Sequence, residues 1–180
     1  MIPQIDECIS LMETYGMLDN IKAHSLKVEQ VASFIAKGIK DRGVDISLKK
    51  VSAGALMHDI GKTICLGSEK DHAEKGKEIC LENDLKEIAD IVEEHIRLKN
   101  FRNDDKISEK EIIYYSDKRV NHNKVVSLDK RMEYLLERYA KDDEYLKERI
   151  KENFMVCRKV ENKIFSLLSF TPEDLLEMTG

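Results

Sequence analysis

Residues 48–62 read LKKVSAGALMHDIGK, and the reading of the whole chain turns on them. Leu48, Val51 and Ala55 recur at helical spacing and line one side of a helix predicted over 48–60. Ser47 stands where an N-cap belongs. The helix delivers His58 and Asp59 side by side at its end, and Gly61 suits the stop, where a left-handed backbone is cheap for glycine. An imidazole nitrogen beside a carboxylate is the start of a divalent metal site, because both suit zinc, iron, manganese and similar ions. The dipeptide alone is a weak signal and needs further ligands brought to it from elsewhere. Lys62 has two readings: a solvated cation at a helix C-terminus, or a phosphate contact beside a metal.

Working outward, each neighbouring segment offers one candidate. Residues 3–15 read as a helix ended by Gly16, and residues 20–40 as a longer one. In the longer helix His24, Val28, Val31 and Ile35 share a face, which places His24 inward. Downstream, Asp71 caps a helix over 72–82 in which His72, Gly76, Ile79 and Cys80 align. A glycine inside a helix costs about 1 kcal/mol against alanine, so Gly76 signals close packing. In a helix over 84–97, Leu85, Ile88, Val92 and His95 line up. Arg97, Lys99 and Arg102 follow in a polar loop that is either solvated or helps hold an anionic substrate. Ser108 and Glu111 form a capping box opening the next helix, where Ile113, Asp117 and Val120 share a side. A carboxylate on an apolar face needs a metal or a cation such as Lys118 or Arg119, since a bare buried charge is costly. His122, at that helix's end, reads as a surface residue.

The rest is helical and carries no motif. Ser127 caps a helix to about Ala140, with Leu128, Met132, Leu135, Leu136 and Tyr139 inward. Residues 143–169 carry a long apolar stripe that is either core packing or a dimer seam. Thr171-Pro172-Glu173-Asp174 starts a short helix to Met178. No segment alternates with the period of two that marks a strand. The expectation is an all-α single domain over 1–180 with seven to nine helices: a metal-binding core at about 20–120, and C-terminal helices over 127–180 packed on it.

Composition sets the outer limits. The chain has 180 residues, within the roughly 100–200 of one domain. It is 42% hydrophobic and 36% charged, with only 2 prolines and 8 glycines, so helices can run long. A net charge of −5 argues against a general nucleic-acid or anionic-membrane binder, but not against a phosphorylated small molecule, because a bound metal supplies local positive charge. Cys8, Cys65, Cys80 and Cys157 are scattered without a C-x-x-C pair. Three of them, Cys8, Cys80 and Cys157, fall on apolar faces. No signal peptide or membrane span is visible, and a reducing cytoplasm is expected.

Four of five histidines thus lie on inner faces of different helices, with Asp59 and Asp117. Each buried imidazole would otherwise need its own hydrogen-bond partner, a demand that a shared metal site meets at once. The order His24, then His58-Asp59-Ile60-Gly61-Lys62, then Tyr115-Ser116-Asp117-Lys118-Arg119-Val120 resembles the HD superfamily of metal-dependent phosphohydrolases over about residues 20–120. The added His72 and His95 resemble its six-ligand, two-metal branch of HDIG type. The absence of a Gly-Tyr-Pro segment leaves its cyclic-di-GMP phosphodiesterases unsupported. Its small diadenosine tetraphosphatases are similar in size and ligand pattern.

The resemblance implies a helical HD-type fold and a set of roles. His24, His58, Asp59 and Asp117 would hold one divalent ion; Asp59 would bridge to a second held by His72 and His95. Iron or manganese is favoured, with magnesium, nickel, cobalt or zinc as alternatives. Asp59 and Lys62 would be catalytic, and Lys62 and Lys118 would meet substrate. Two cations roughly 3.5–4 Å apart clamp the oxygens of an in-line displacement and lower the pKa of bound water from about 15.7 toward 7. The expected activity is hydrolysis of a phosphoester or phosphoanhydride in a nucleotide-like molecule, by a monomer or homodimer. Two readings from other classes stand beside it: a non-catalytic helical module that senses a nucleotide or assembles partners, which has no need of six ligands, and an iron protein of redox or oxygen chemistry.

Overall fold

The computed structural model describes residues 1–178. The elements in chain order are α1 (Ile5–Thr14), α2 (Asp19–Asp41), α3 (Leu48–Met57), α4 (Lys62–Cys65), α5 (His72–Glu82), α6 (Lys86–Glu93), α7 (Glu109–Lys118), β1 (Val120–Asn121), β2 (Lys124–Val125), α8 (Leu128–Tyr139), α9 (Glu144–Phe165) and α10 (Leu175–Met178). The fold is all-α. Among the described residues eight helices have eight or more residues; α4 and α10 are single turns. The caps fall where the polar residues stand. Ser47, Asp71, Ser108 and Ser127 each accept a backbone N–H in the first turn of α3, α5, α7 and α8. Ser108 and Glu111 complete the reciprocal box.

Helix α3 is the axis of the molecule, packing on α1, α2, α6 and α7. It is buried on nearly every side: Val51, Ala53, Gly54, Ala55, Leu56 and Met57 are all inside. Small residues let its neighbours approach. A Cβ on Gly54 would stand 2.7 Å from Ile91 and Ile113 side-chain carbons, on α6 and α7. Helix α2 lies along α3 and α7, α5 packs on α4 and α6, and α9 packs on α7 and α8. One cluster of buried apolar side chains runs from Cys8 to Leu175 and takes in Phe154, Cys157, Val160 and Ile164 of α9. That settles the α9 stripe in favour of core packing for those four residues.

Among the departures from the sequence reading, three bear on the site and its surroundings. Residues 120–125 form a two-stranded antiparallel ladder, Val120 against Val125 and Asn121 against Lys124. Its strands have two residues each, too short for any alternation to register. Helix α3 stops at Met57, and His58 to Gly61 form a turn into α4. Gly61 has φ −79°, not a left-handed value. Glycine is required there because a Cβ would stand 2.4 Å from the His72 carbonyl oxygen and 2.7 Å from the Gly76 nitrogen. Finally, Tyr139 is exposed rather than inward.

Arg119 fastens the C-terminal third to the core. Its guanidinium, 2% exposed, donates to the Val126 and Pro172 carbonyls and to the Tyr115 hydroxyl, and lies 3.4 Å from Glu161. Five donors in a rigid fork make arginine the side chain able to reach a strand end, α7, α9 and the last loop together.

Candidate metal centre

Five segments bring six side chains to one place. His24 is on α2, His58 and Asp59 are in the turn after α3, His72 opens α5, His95 follows α6, and Asp117 is near the end of α7. The His24, His58 and Asp59 ligand atoms lie within 4.8 Å of one another, and so do those of Asp59, His72 and His95. Asp59 belongs to both groups. Its Oδ2 is 3.5 Å from His58 Nε2, and its Oδ1 is 3.3 Å from His72 Nε2 and 3.5 Å from His95 Nε2. Asp117 Oδ1 is 3.0 Å from His24 Nε2 and 3.7 Å from His58 Nε2.

The imidazoles are aimed by backbone carbonyls. Nδ1 of His24, His58 and His95 lies 2.8, 2.7 and 2.6 Å from the carbonyl oxygens of His122, Ala55 and Val92. A carbonyl can only accept, so each Nδ1 carries the proton, and each Nε2 faces the carboxylates with the lone pair that a cation shared with them would take. This outer hydrogen bond is the one that fixes tautomer and ring orientation in metal-binding histidines. Burial pushes His95 down to about 4, so it is neutral near pH 7. Burial pushes the Asp59 carboxyl upward, but His58, His72 and His95 outweigh it and hold it well below the usual range. Asp117 is likewise held down, against burial, by Lys118, His24 and His58.

This donor set fits divalent cations. His58 Nε2 is buried with no hydrogen-bond partner, which is costly for a polar atom unless something else binds it. The buried Asp59, the partly buried Asp117 and four convergent nitrogens supply the negative charge and the lone pairs that such a cation takes. Glu94, an alternative partner for His95, is used elsewhere, by Lys110 and the Lys99 N–H.

The lysines divide. Lys62 Nζ is 2.8 Å from Asp59 Oδ2 and its side chain is about one-third exposed. Lys118 is buried. Its ammonium donates to the His95 carbonyl at 2.5 Å, lies 3.3 Å from Asp117 Oδ2 and sits 4.1 Å above the Tyr114 ring. Of the loop cations, Lys99 pairs with Glu93 at 2.6 Å. Two contributions escape sequence reasoning. One is the His122 carbonyl. Its side chain is at the surface as expected, but φ of +54° in the two-residue turn swings its carbonyl onto His24. The other is Arg131 of α8, whose Nη2 reaches 4.0 Å from Asp117 Oδ1.

An all-α core that brings four histidines and two aspartates together is a candidate site for divalent cations. The HD domain family matches residues 21–121, and the chain belongs to it. Among curated proteins the chain is similar to a tRNA (cytidine(56)-2'-O)-methyltransferase of Thermoplasma volcanium, 37% identical over 97 residues, covering 53% of this chain and 27% of that one. It is 37% identical over 79 residues to an uncharacterized protein of Methanocaldococcus jannaschii, covering 43% and 46%. A Ribonuclease Y of Treponema pallidum is 41% identical over 66 residues, covering 37% and 12%. The matches span less than half of each of these relatives. No solved structure gives a significant match. Among the described residues no helix is long and apolar enough to cross a membrane.

Proposed function

We propose that this protein is a phosphohydrolase of the dinuclear kind, cleaving a phosphoester or phosphoanhydride bond in a nucleotide-like small molecule. The observation that carries the reading is Asp59, whose two oxygens face two different sets of imidazole nitrogens. His24, His58, Asp59 and Asp117 would hold one divalent cation, and Asp59, His72 and His95 the other; iron or manganese suits this nitrogen and oxygen set. Bound there, such cations supply Lewis-acid charge for phosphoryl oxygens and acidify water.

The chain's own residues do the rest. The His122, Ala55 and Val92 carbonyls hold three imidazoles in the required tautomer. Lys118, enclosed by the His95 carbonyl, Asp117 and Tyr114, fixes the last ligands in place; its burial favours a positioning role over contact with substrate. Lys62, partly exposed beside Asp59, is the cation placed to meet a substrate phosphate. We take residues 1–180 as one domain, with the C-terminal helices closing over the core.

A second reading has its own support: relatives named for ribonuclease and tRNA methyltransferase activities match parts of this chain. On it the scissile bond is a phosphodiester in RNA. The net charge of −5 favours the small molecule. The deciding experiment offers the metal-loaded protein nucleoside mono-, di- and triphosphates, dinucleoside polyphosphates, cyclic nucleotides and short RNAs. Turnover of one of the first four classes, lost on chelation, supports the proposal. Turnover of RNA alone favours the second reading, and no turnover with metal bound leaves the non-catalytic module.

A further inference from the structure

We propose that Arg131 grips a substrate phosphate at the Asp117 edge of the centre; the inference rests on the phosphohydrolase reading above and adds a residue to it. Arg131 lies on α8, beyond residues 21–121. Its guanidinium is folded inward, with the side chain 12% exposed. Nη1 donates to Asn121 Oδ1 at 2.9 Å. Nε is buried with no hydrogen-bond partner, and Nη2 is 4.0 Å from Asp117 Oδ1, too far for a hydrogen bond. The group carries five N–H donors in a fixed fork, and only Asn121 takes a close one among these contacts.

Neutralising Asp117 does not explain this placement. That carboxylate already has Lys118 at 3.3 Å and His24 at 3.0 Å. An arginine recruited to pair with it would close to a bidentate contact, the geometry guanidinium and carboxylate favour. Arg131 instead holds back beside the cluster, braced by Asn121 and with its Cζ 5.7 Å from the Tyr134 ring centre. A buried Nε–H left open, with Nη2 beside it short of a hydrogen bond, asks for an acceptor with several oxygens. Charge gives the same answer. Lys62 of α4 stands beside Asp59 and Arg131 of α8 beside Asp117, two cations within reach of one anion. The ligand that would complete both is a polyvalent anion. A phosphoryl group, tetrahedral and with several anionic oxygens, matches a guanidinium fork where a lysine would offer only a point charge.

The test uses inorganic phosphate as the probe and three readouts on metal-loaded protein: metal content, phosphate affinity by calorimetry, and the arginine Nε–H resonances. In Arg131→Gln, metal content is expected to match the wild type while phosphate binding weakens by about tenfold or more, the weight of a charge-assisted hydrogen bond. In the wild type, the Arg131 Nε–H resonance, located as the one missing from Arg131→Lys, is expected to shift on adding phosphate. Equal phosphate affinity in folded, loaded Arg131→Gln overturns the proposal. If that variant does not fold or load, the wild-type spectrum decides, and an unmoved Arg131 resonance with phosphate bound overturns it equally. Wild-type protein that hydrolyses phosphate compounds yet fails these tests loses only Arg131. Wild-type protein that binds neither metal nor phosphate loses the phosphohydrolase reading itself.

Discussion

At the scale of single residues, the convergence of the candidate ligands was legible because each sits on the apolar face of a helix or at its end. His24 shares its face with Val28, Val31 and Ile35, and all four are buried. What aims them was not legible, since a backbone carbonyl has no letter in a sequence: the His122 oxygen reaches His24 across 98 positions. Asp59 carries the largest expected effect. Asp59→Ala removes the oxygens shared by both groups of ligands, so hydrolysis should fall to background while circular dichroism keeps its helical spectrum; an active variant would sink the mechanism. A second expectation concerns the thiols. Burial pushes Cys8, Cys80 and Cys157 from 9.0 up to about 12. The reactive species is the thiolate, so a thiol reagent at about pH 8 should leave these three untouched until denaturant is added. The sign for stability follows: a thiol that holds its proton more tightly when folded stabilises fully below pH 9 and loses that contribution as pH rises toward 12. The melting temperature should therefore drop across that window, and replacing the three by alanine or serine should flatten the drop.

At the scale of elements, helix starts were legible and helix ends less so. Ser47, Asp71, Ser108 and Ser127 mark their caps because a side-chain oxygen satisfies orphan N–H groups locally. The ends after Met57 and Glu93 come early, where the chain turns and His58 and His95 face Asp59, a tertiary arrangement that periodicity does not carry. Glycine 61 shows the same limit: its place in the sequence suggests a helix stop, whereas its role is clearance between the turn and α5. Gly61→Ala tests that. The added methyl meets the backbone of His72 and Gly76, atoms unable to rotate away, so overpacking should cost about 1–3 kcal/mol and displace His72 from Asp59. Thermal melts in chelator should show the loss, and metal content should fall; a wild-type melt with full metal would return Gly61 to a simple stop signal.

At the scale of the whole molecule, the site is closed by a part of the chain that carries no motif. Arg119 ties α7 to α9 and to Pro172, and α8 brings Arg131 beside Asp117. A sequence reading finds the apolar stripes of α8 and α9 but not this closure, because an arginine that turns inward looks like any charged residue on a polar face. The same convergence makes the number of cations a property of the assembled fold rather than of one motif. His72 comes from α5 and His95 from beyond α6, and these two elements pack on each other. Their Nε2 atoms face one oxygen of Asp59, while His58 faces the other. If both groups of ligands take a cation, wild-type protein loaded with manganese or iron should carry two per chain by elemental analysis. His72→Ala/His95→Ala should then carry about one and lose most of its hydrolytic rate, because one cation cannot clamp both the attacking and leaving oxygens. The surviving cation should still raise the melting temperature above that of chelated protein, since it relieves the charge buried on Asp59 and Asp117. One metal per chain in replete wild-type protein, unchanged in the double variant, would establish instead that His72 and His95 serve only as hydrogen-bond partners of Asp59.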